Sequence, residues 1–354
     1  MTSQTHTNNK HISPDSSRIG LLLTNIGSPQ APTPRALRKY LKEFLSDARI
    51  IDWPRWIWLP ILHTIILTFR PRRSARLYQN VWTSDGSPLL FTLERQARLL
   101  TETLAAQNSQ DIAVEIGMRY GSPSIAAGLR SLRKQGVGRI LVLPLFPQYS
   151  STTTASTLDA VFDELKTWWA LPELRTVNSY HDHPTYINAL AHSIQARWSE
   201  HGQPEKLLFS FHGVPARFND TGDPYLAECL RTSRLVAHQL DLPDSAWHTS
   251  FQSRFGPEPW LQPYTDATLH AWGAAGLSSV NVVCPGFSAD CLETLDEIDR
   301  EARESFIHAG GKEFAYIPAL NDQAGHIAAL AAIASSHMQD WVIQPARQPE
   351  LQPV

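Results

Sequence analysis

Three cysteines in 354 residues, Cys229, Cys284 and Cys291, are odd in number and too few for a disulfide framework. They form no CxxC pair, so a thiol–disulfide motif is absent as well, and a reducing, cytoplasmic setting is expected. Excess charge of one sign is also missing. The 31 Lys+Arg face 34 Asp+Glu, a formal net charge of -3, and a nucleic-acid partner, which calls for a basic face, is not expected. Long apolar runs are lacking. The most apolar stretch, WIWLPILHTIILTF from Trp56 to Phe69, is shorter than the ~20 residues of a membrane span and contains Pro60 and His63. Met1 to Arg18 is polar and shows no apolar core of a secretory leader. What is left is an ordinary globular composition, 42% hydrophobic and 18% charged, in a chain long enough for two domains.

Short runs of Val, Ile and Leu alternate with amphipathic stretches. Strands are expected at Ile19 to Thr24, Ala113 to Met118, Arg139 to Phe146, Lys206 to Phe211, Trp247 to Ser250 and Val280 to Phe287. Several are nearly continuous in apolar residues, as parallel strands covered on both faces are. Helices are expected between them, among them Ser124 to Gln135, Tyr225 to Gln239 and Asp290 to Ile307. A weak internal echo accompanies this alternation. LLLTNIGSP (Leu21 to Pro29) resembles LLFSFHGVP (Leu207 to Pro215), MRYG (Met118 to Gly121) resembles SRFG (Ser253 to Gly256), and VLPLF (Val142 to Phe146) resembles VCPGF (Val283 to Phe287). The shared order of the three pairs predicts an α/β chain of two similar halves, each a parallel sheet flanked by helices. The divisions expected are a disordered tail over 1–17, a first half over 18–179, a second over 180–322, a C-terminal helix over 323–343 and a disordered tail over 344–354.

Ligands of open α/β sheets bind beyond the carboxyl ends of the strands, and that rule picks out three places. LLFSF ends in His212, where Gly213 and Pro215 stop the strand; an isolated His there is as readily a backbone-bonded one. After the strand ending at Phe287, Asp290, Glu293, Glu297 and Glu301 fall at helical spacing along one side. A capping box and a solvated face account for them in one reading, and a row that attracts and relays cations or protons in the other. Carboxylate with imidazole suits ferrous iron. The third place is PQYSSTTTAST, Pro147 to Thr157, whose hydroxyls suit a helix N-terminus holding an anion, with Tyr149 in front. The Trp56 to Phe69 run, followed by Arg70, Arg72 and Arg73, reads either as a core helix or as an apolar lip for a membrane face or an apolar anion.

LLFSFHGVPARFNDTGDPY, Leu207 to Tyr225, resembles the ferrochelatase signature. TNIGSP, LYQNVWTSDGSPL, MRYGSPS, LPLFPQYSSTTT, SFQSRFGPEPWLQPYT and CPGFSADCLETLDEID resemble other segments of that family in family order, from about Ile19 to Asp322. The resemblance implies two Rossmann-like halves around a porphyrin cleft. It implies a metal chelatase, a lyase that inserts Fe(2+) into protoporphyrin IX and releases protohaem and two protons. His212 and Glu293 match the family's essential pair, which handles the metal, and Asp290 and Glu297 match its acidic row. Tyr149, Ser87, Arg119 and Tyr120 match residues lining the porphyrin, and Arg70 a basic residue on the propionate side. The apolar run matches a lip for porphyrin exchange, with peripheral contact at the inner face of the membrane. Cys291 stands where many members have His. No iron–sulfur cluster is expected, because no Cys follows Cys291 and Ser151 replaces a Cys found in some relatives; no other cofactor is required. Two rival readings are a serine hydrolase using GFSAD (Gly286 to Asp290), a near match to a nucleophile elbow, and a haem or metal carrier without turnover. A chelatase for cobalt or nickel is a third.

Overall fold

The computed structural model describes residues 18–107 and 111–341; the two expected tails lie outside them. Among the described residues, eight strands form two sheets. β1 (Ile19–Ser28), β2 (Ile112–Gly121), β3 (Arg139–Pro144) and β4 (Glu173–Thr176) take the order β2-β1-β3-β4. β5 (Lys206–His212), β6 (Trp247–Gln252), β7 (Ser279–Val283) and β8 (Glu313–Ile317) take the order β6-β5-β7-β8. All neighbours are parallel. The second sheet therefore repeats the first strand for strand. The echoed segments lie on β1 and β5, at the end of β2 and just past β6, and at the ends of β3 and β7. β7 stops at Val283, short of the expected Phe287, where Pro285 and Gly286 turn the chain.

Leu21, Leu22 and Leu23 are all fully buried, which on a strand means cover on both faces. Leu22 packs with Ile125, Leu129 and Leu132 of the Ile125–Lys134 helix. Leu21 and Leu23 face a larger cluster on the other side. That cluster takes in Leu143 of the first half, Phe209 and Phe211 of the second, and Leu330 and Ile333 of the C-terminal helix, Ala324–Met338. The C-terminal helix lies against both the Pro88–Gln107 and Pro184–His201 helices. Just beyond it, Trp341 donates its indole N–H to Glu173 at 2.7 Å, and its ring lies under the Arg175 guanidinium at 4.2 Å. The last described residue is thus fastened to the edge of the first sheet.

The apolar run forms one face of a helical segment: Arg55–Ile61, a widened turn over Leu62–Ile66, then Leu67–Val81. Pro60, without an N–H, removes one helical bond just before the widening. Trp58, Leu62 and Leu67 are buried with Leu41 and Leu45. Trp56, Ile65 and Phe69 stand 79%, 54% and 72% exposed on the other side. The buried face fits the core reading, and the opposite face leaves apolar side chains exposed.

Because one apolar cluster spans both halves, Leu330→Ala is expected to cost about 2–5 kcal/mol, the usual range for a buried Leu truncation. Calorimetry should show one transition, shifted down; two transitions, only one of them shifted, would contradict a shared core.

Candidate active site

His212 is the last residue of β5, at the centre of the second sheet and at its carboxyl edge. Its Nδ1 lies 2.7 Å from the Gly213 carbonyl. A carbonyl only accepts, so Nδ1 carries the hydrogen, and in the neutral ring Nε2 presents a lone pair. The Gly213 N–H donates to the Gln252 carbonyl at 2.7 Å. A Cβ on Gly213 would stand 2.8 Å from that same oxygen and 3.1 Å from the Trp260 ring. The glycine after the histidine is thus required by close approach of β6. Tyr225 of the signature donates its hydroxyl to the His212 carbonyl at 3.0 Å, and Phe287 lies beside the imidazole with ring centroids 6.5 Å apart.

The acid-bearing helix differs from expectation. It is a π-helix over Glu293–Ala302, followed by an α-helical turn over Arg303–His308. In a π-helix each N–H reaches the carbonyl five residues back, and such widening concentrates at functional sites. Glu293 is its first residue. Glu297, one turn on, accepts from the Ser253 N–H at 2.7 Å and from the Ser253 hydroxyl. Burial raises the Glu297 carboxyl above the ordinary range, and the nearby Glu293 charge adds to this; the Ser253 bonds and the His212 charge oppose it. Glu297 therefore lies within electrostatic reach of both Glu293 and His212.

Asp290 does not belong to that row. It precedes the helix, and its carboxylate turns inward. Oδ1 accepts from the Tyr316 hydroxyl at 2.7 Å, Thr294 at 3.1 Å and the Ala319 N–H at 3.2 Å, while Oδ2 accepts from Asn321 at 2.7 Å. The expected capping box is absent: Thr294 rather than Glu293 reaches back, accepting from the Cys291 N–H at 3.1 Å. Ser288 of the near-elbow is buried, and its hydroxyl accepts from Asn25 at 3.2 Å; it is not a nucleophile presented on a tight turn.

The expected porphyrin-side residues divide into two groups. Arg119 and Tyr120 are engaged within the protein. Arg119 donates to Asp47 and, at 2.7 Å, to Ser156, and the fully buried Tyr120 donates to Asp47 at 2.7 Å. Their partner Asp47 lies far away in sequence and escaped the reading. Burial alone would raise the Asp47 carboxyl, but bonds from Ser156, the Arg49 N–H and Tyr120, with the Arg119 charge, bring it below its ordinary value. Arg70, Ser87 and Tyr149 are differently placed. Arg70 stacks over Phe255 at 5.0 Å, joining the lip segment to the second half. Ser87 is buried and accepts from Ser28 at 2.6 Å. The half-buried Tyr149 has its N–H held by Glu228 at 2.7 Å, and its phenol is pushed up by burial. The anion at the hydroxyl-rich helix start is the protein's own: Asp223 of the signature accepts from the Ser151 N–H at 2.7 Å and the Ser150 hydroxyl at 3.2 Å.

Tyr40 and Tyr78 were also missed. Both hydroxyls are pushed up by burial and, further, by the neighbouring Glu293 and Cys291. Tyr40 donates to the Gly27 carbonyl at 3.3 Å, at the end of β1. Gly27 itself has φ +117, and a Cβ there would overlap the Tyr120 carbonyl. The first half thus brings two tyrosine hydroxyls beside the Glu293 carboxyl and the Cys291 thiol of the second.

Asp47 yields a pH test. Its lowered value means that it stabilises the fold fully above its unfolded pKa of about 4, and that this contribution is lost as pH falls through the lower folded value. Asp47→Asn should destabilise the protein near neutral pH by a few kcal/mol, roughly 3–5 for an orphaned buried partner. It should also flatten the acid limb of a stability–pH curve, and an unchanged acid limb would count against the pairing.

The ferrochelatase family model matches residues 18–338. The Ferrochelatase of Nitrosococcus oceani is 51% identical over 324 residues, covering 92% of this chain and 88% of the relative. That of Aromatoleum aromaticum is 51% identical over 334 residues, covering 94% and 92%. Among solved structures, the sirohydrochlorin chelatase SirB of Bacillus subtilis subspecies spizizenii, in complex with cobalt, is 12% identical with a TM-score of 0.52, covering 91% of this chain and 96% of that one; this likeness concerns the fold alone. With the family model spanning both sheets and the cleft between them, the chain belongs to the ferrochelatase family.

Proposed function

We propose that the cleft inserts Fe(2+) into protoporphyrin IX, giving protohaem and two protons as the terminal step of haem biosynthesis, with His212 and Glu293 as its chemical centre. The observation that carries this reading is that the end of β6 holds both partners, Gln252 lying beside His212 in the register of the sheet and the next residue, Ser253, bonding Glu297 of the wide helix at 2.7 Å. Two pyrrole N–H protons must leave as the metal enters. The Nε2 lone pair of His212 is the natural first acceptor, because the Gly213 carbonyl engages the other ring nitrogen, Nδ1. Glu293 ligates the arriving iron or takes the proton onward. Glu297, its carboxyl raised by burial, exchanges a proton more readily at neutral pH than an ordinary carboxylate. Asp290 holds the start of the helix in place. Ser87 and Tyr149 line the macrocycle, and Arg70 faces its propionates. No resident cofactor is required.

The assay is anaerobic mixing of protein, protoporphyrin and Fe(2+), followed by the porphyrin spectrum. His212→Ala and Glu293→Gln should each bind porphyrin and lose insertion by about 10²-fold or more, the scale of general acid–base groups. Glu297→Gln should lose less. Equal, mild losses in all three would sink the assignment.

The same reading includes a peripheral membrane contact through the lip. Among the described residues no helix is long and apolar enough to cross a bilayer. The exposed Trp53, Trp56, Ile65 and Phe69 sit on a segment that also exposes Arg55, Arg72, Arg73 and Arg76. Apolar side chains beside cations suit an anionic leaflet. Ile65→Ser with Phe69→Ser should reduce sedimentation with phosphatidylglycerol vesicles and slow porphyrin uptake without lowering the melting temperature. Undiminished vesicle binding would remove the lip from this role.

A further inference from the structure

His212 and Glu293 come from different elements, and their relative position must be held to well under an ångström. One side chain touches the frame of both. Gln252 is the last residue of β6, paired with His212 in the register of the sheet, and 4% exposed. Its backbone carbonyl accepts from Gly213, the residue after His212, at 2.7 Å. Its side-chain Oε1 accepts from the Ser210 hydroxyl at 2.7 Å and faces the Cys284 thiol at 3.6 Å. Its Nε2 donates to the Glu293 carbonyl at 3.0 Å. The backbone of Gln252 is therefore tied to the histidine, and its side chain to the first residue of the π-helix. SFQSRFG was legible as a family-like segment, but nothing in it singled out the glutamine.

Behind Gln252 the donors form an ordered chain. An amide oxygen cannot donate, so Ser210 gives its only hydroxyl proton to Gln252. The 2.8 Å contact between Ser210 and Thr265 must then use the Thr265 proton, and the 2.8 Å contact between Thr265 and Ser250 the Ser250 proton. Ser210, Ser250 and Thr265 are buried, 0–2% exposed. Direction runs one way, Ser250 to Thr265 to Ser210 to Gln252 to the Glu293 carbonyl. Hydrogen bonds aligned in this sense polarise one another and fix the amide in one orientation.

We propose that Gln252 is a positioning residue of the iron-insertion reaction, clamping the start of the π-helix so that the Glu293 carboxylate stays aligned with the His212 imidazole. This deepens, and rests on, the assignment of His212 and Glu293 to the chemistry. Gln252 does not touch substrate. Its loss lets the helix start drift, and a shift of an ångström at a reacting group costs about 10²-fold in rate.

The test compares Gln252→Leu, Ser210→Ala and the double variant. Leu keeps volume and removes both amide functions; Ser210→Ala leaves the amide in place and removes the bond that orients it, together with the Thr265 bond behind it. Gln252→Leu should lower kcat by about 10- to 100-fold while the KM for porphyrin and its fluorescence-measured affinity stay within about threefold. Ser210→Ala should lower kcat less, by about three- to tenfold, and should add nothing in the Gln252→Leu background, because the two act through one link. Should Gln252→Leu fail to fold, Ser210→Ala alone still decides: an unchanged kcat overturns the proposal. Full multiplicative loss in the double variant overturns it, as does a raised KM with kcat intact. Normal turnover in Gln252→Leu, with His212→Ala and Glu293→Gln inactive, removes the clamp alone. Normal turnover in His212→Ala removes the site assignment and the clamp with it.

Discussion

Side chains of each half satisfy polar groups of the other near the strand ends, and the placing of the two sheets depends on that exchange. Parallel strands and the helices that follow them leave N–H and C=O groups unpaired where they stop, and burying such groups without partners is costly. Here Asp223 of the second half caps the helix start at Ser151 of the first. Gln96 of the first half donates to the Ser288 and Asn321 carbonyls of the second at 3.0 and 2.9 Å. Asn25, at the end of β1, donates to Ser288. These bonds set the two carboxyl edges facing one another, and the active-site groups inherit their separation.

Within that frame the acids differ in the donors that surround them. Asp290 is surrounded by donors and serves the scaffold, whereas Glu297 is buried with fewer donors and keeps a raised affinity for protons. The lip segment is connected to the same region. Asn80 donates to the buried Asp296 of the π-helix at 3.3 Å, and Asp52 pairs with Arg217 just beyond the histidine loop at 2.6 Å. The lip segment, the π-helix and the histidine loop are thereby neighbours in one bonded framework.

The sequence made the repeated sheet legible because β1, β3 and β5 are runs of branched apolar residues, and because the Gly and Pro that end them recur. β4 (ELRT) and β8 (EFAYI) were not read as strands; both are short edge strands, and β4 carries two charges. The Glu293 helix was found but not its widening, since Glu293 and Glu297 share a side in either geometry. Resemblance marked Arg119 and Tyr120 as porphyrin-lining residues. Their engagement with Asp47, 72 and 73 residues away, is a contact that no local pattern encodes. The same holds for Asp223: its motif was recognised, but the helix it caps lies in the other half.

The fastening of Trp341 to the first sheet bears on how the chain is made. Glu173 and Trp341 are 168 residues apart. At 5–20 residues per second, a ribosome takes roughly ten to thirty seconds to cover that distance. During this interval β1 to β4 are already synthesised, yet the apolar face destined for the last helix has no cover. A nascent chain of this protein therefore passes through a long window in which that face of its first half is exposed and sticky, until the Ala324–Met338 helix and Trp341 cover it.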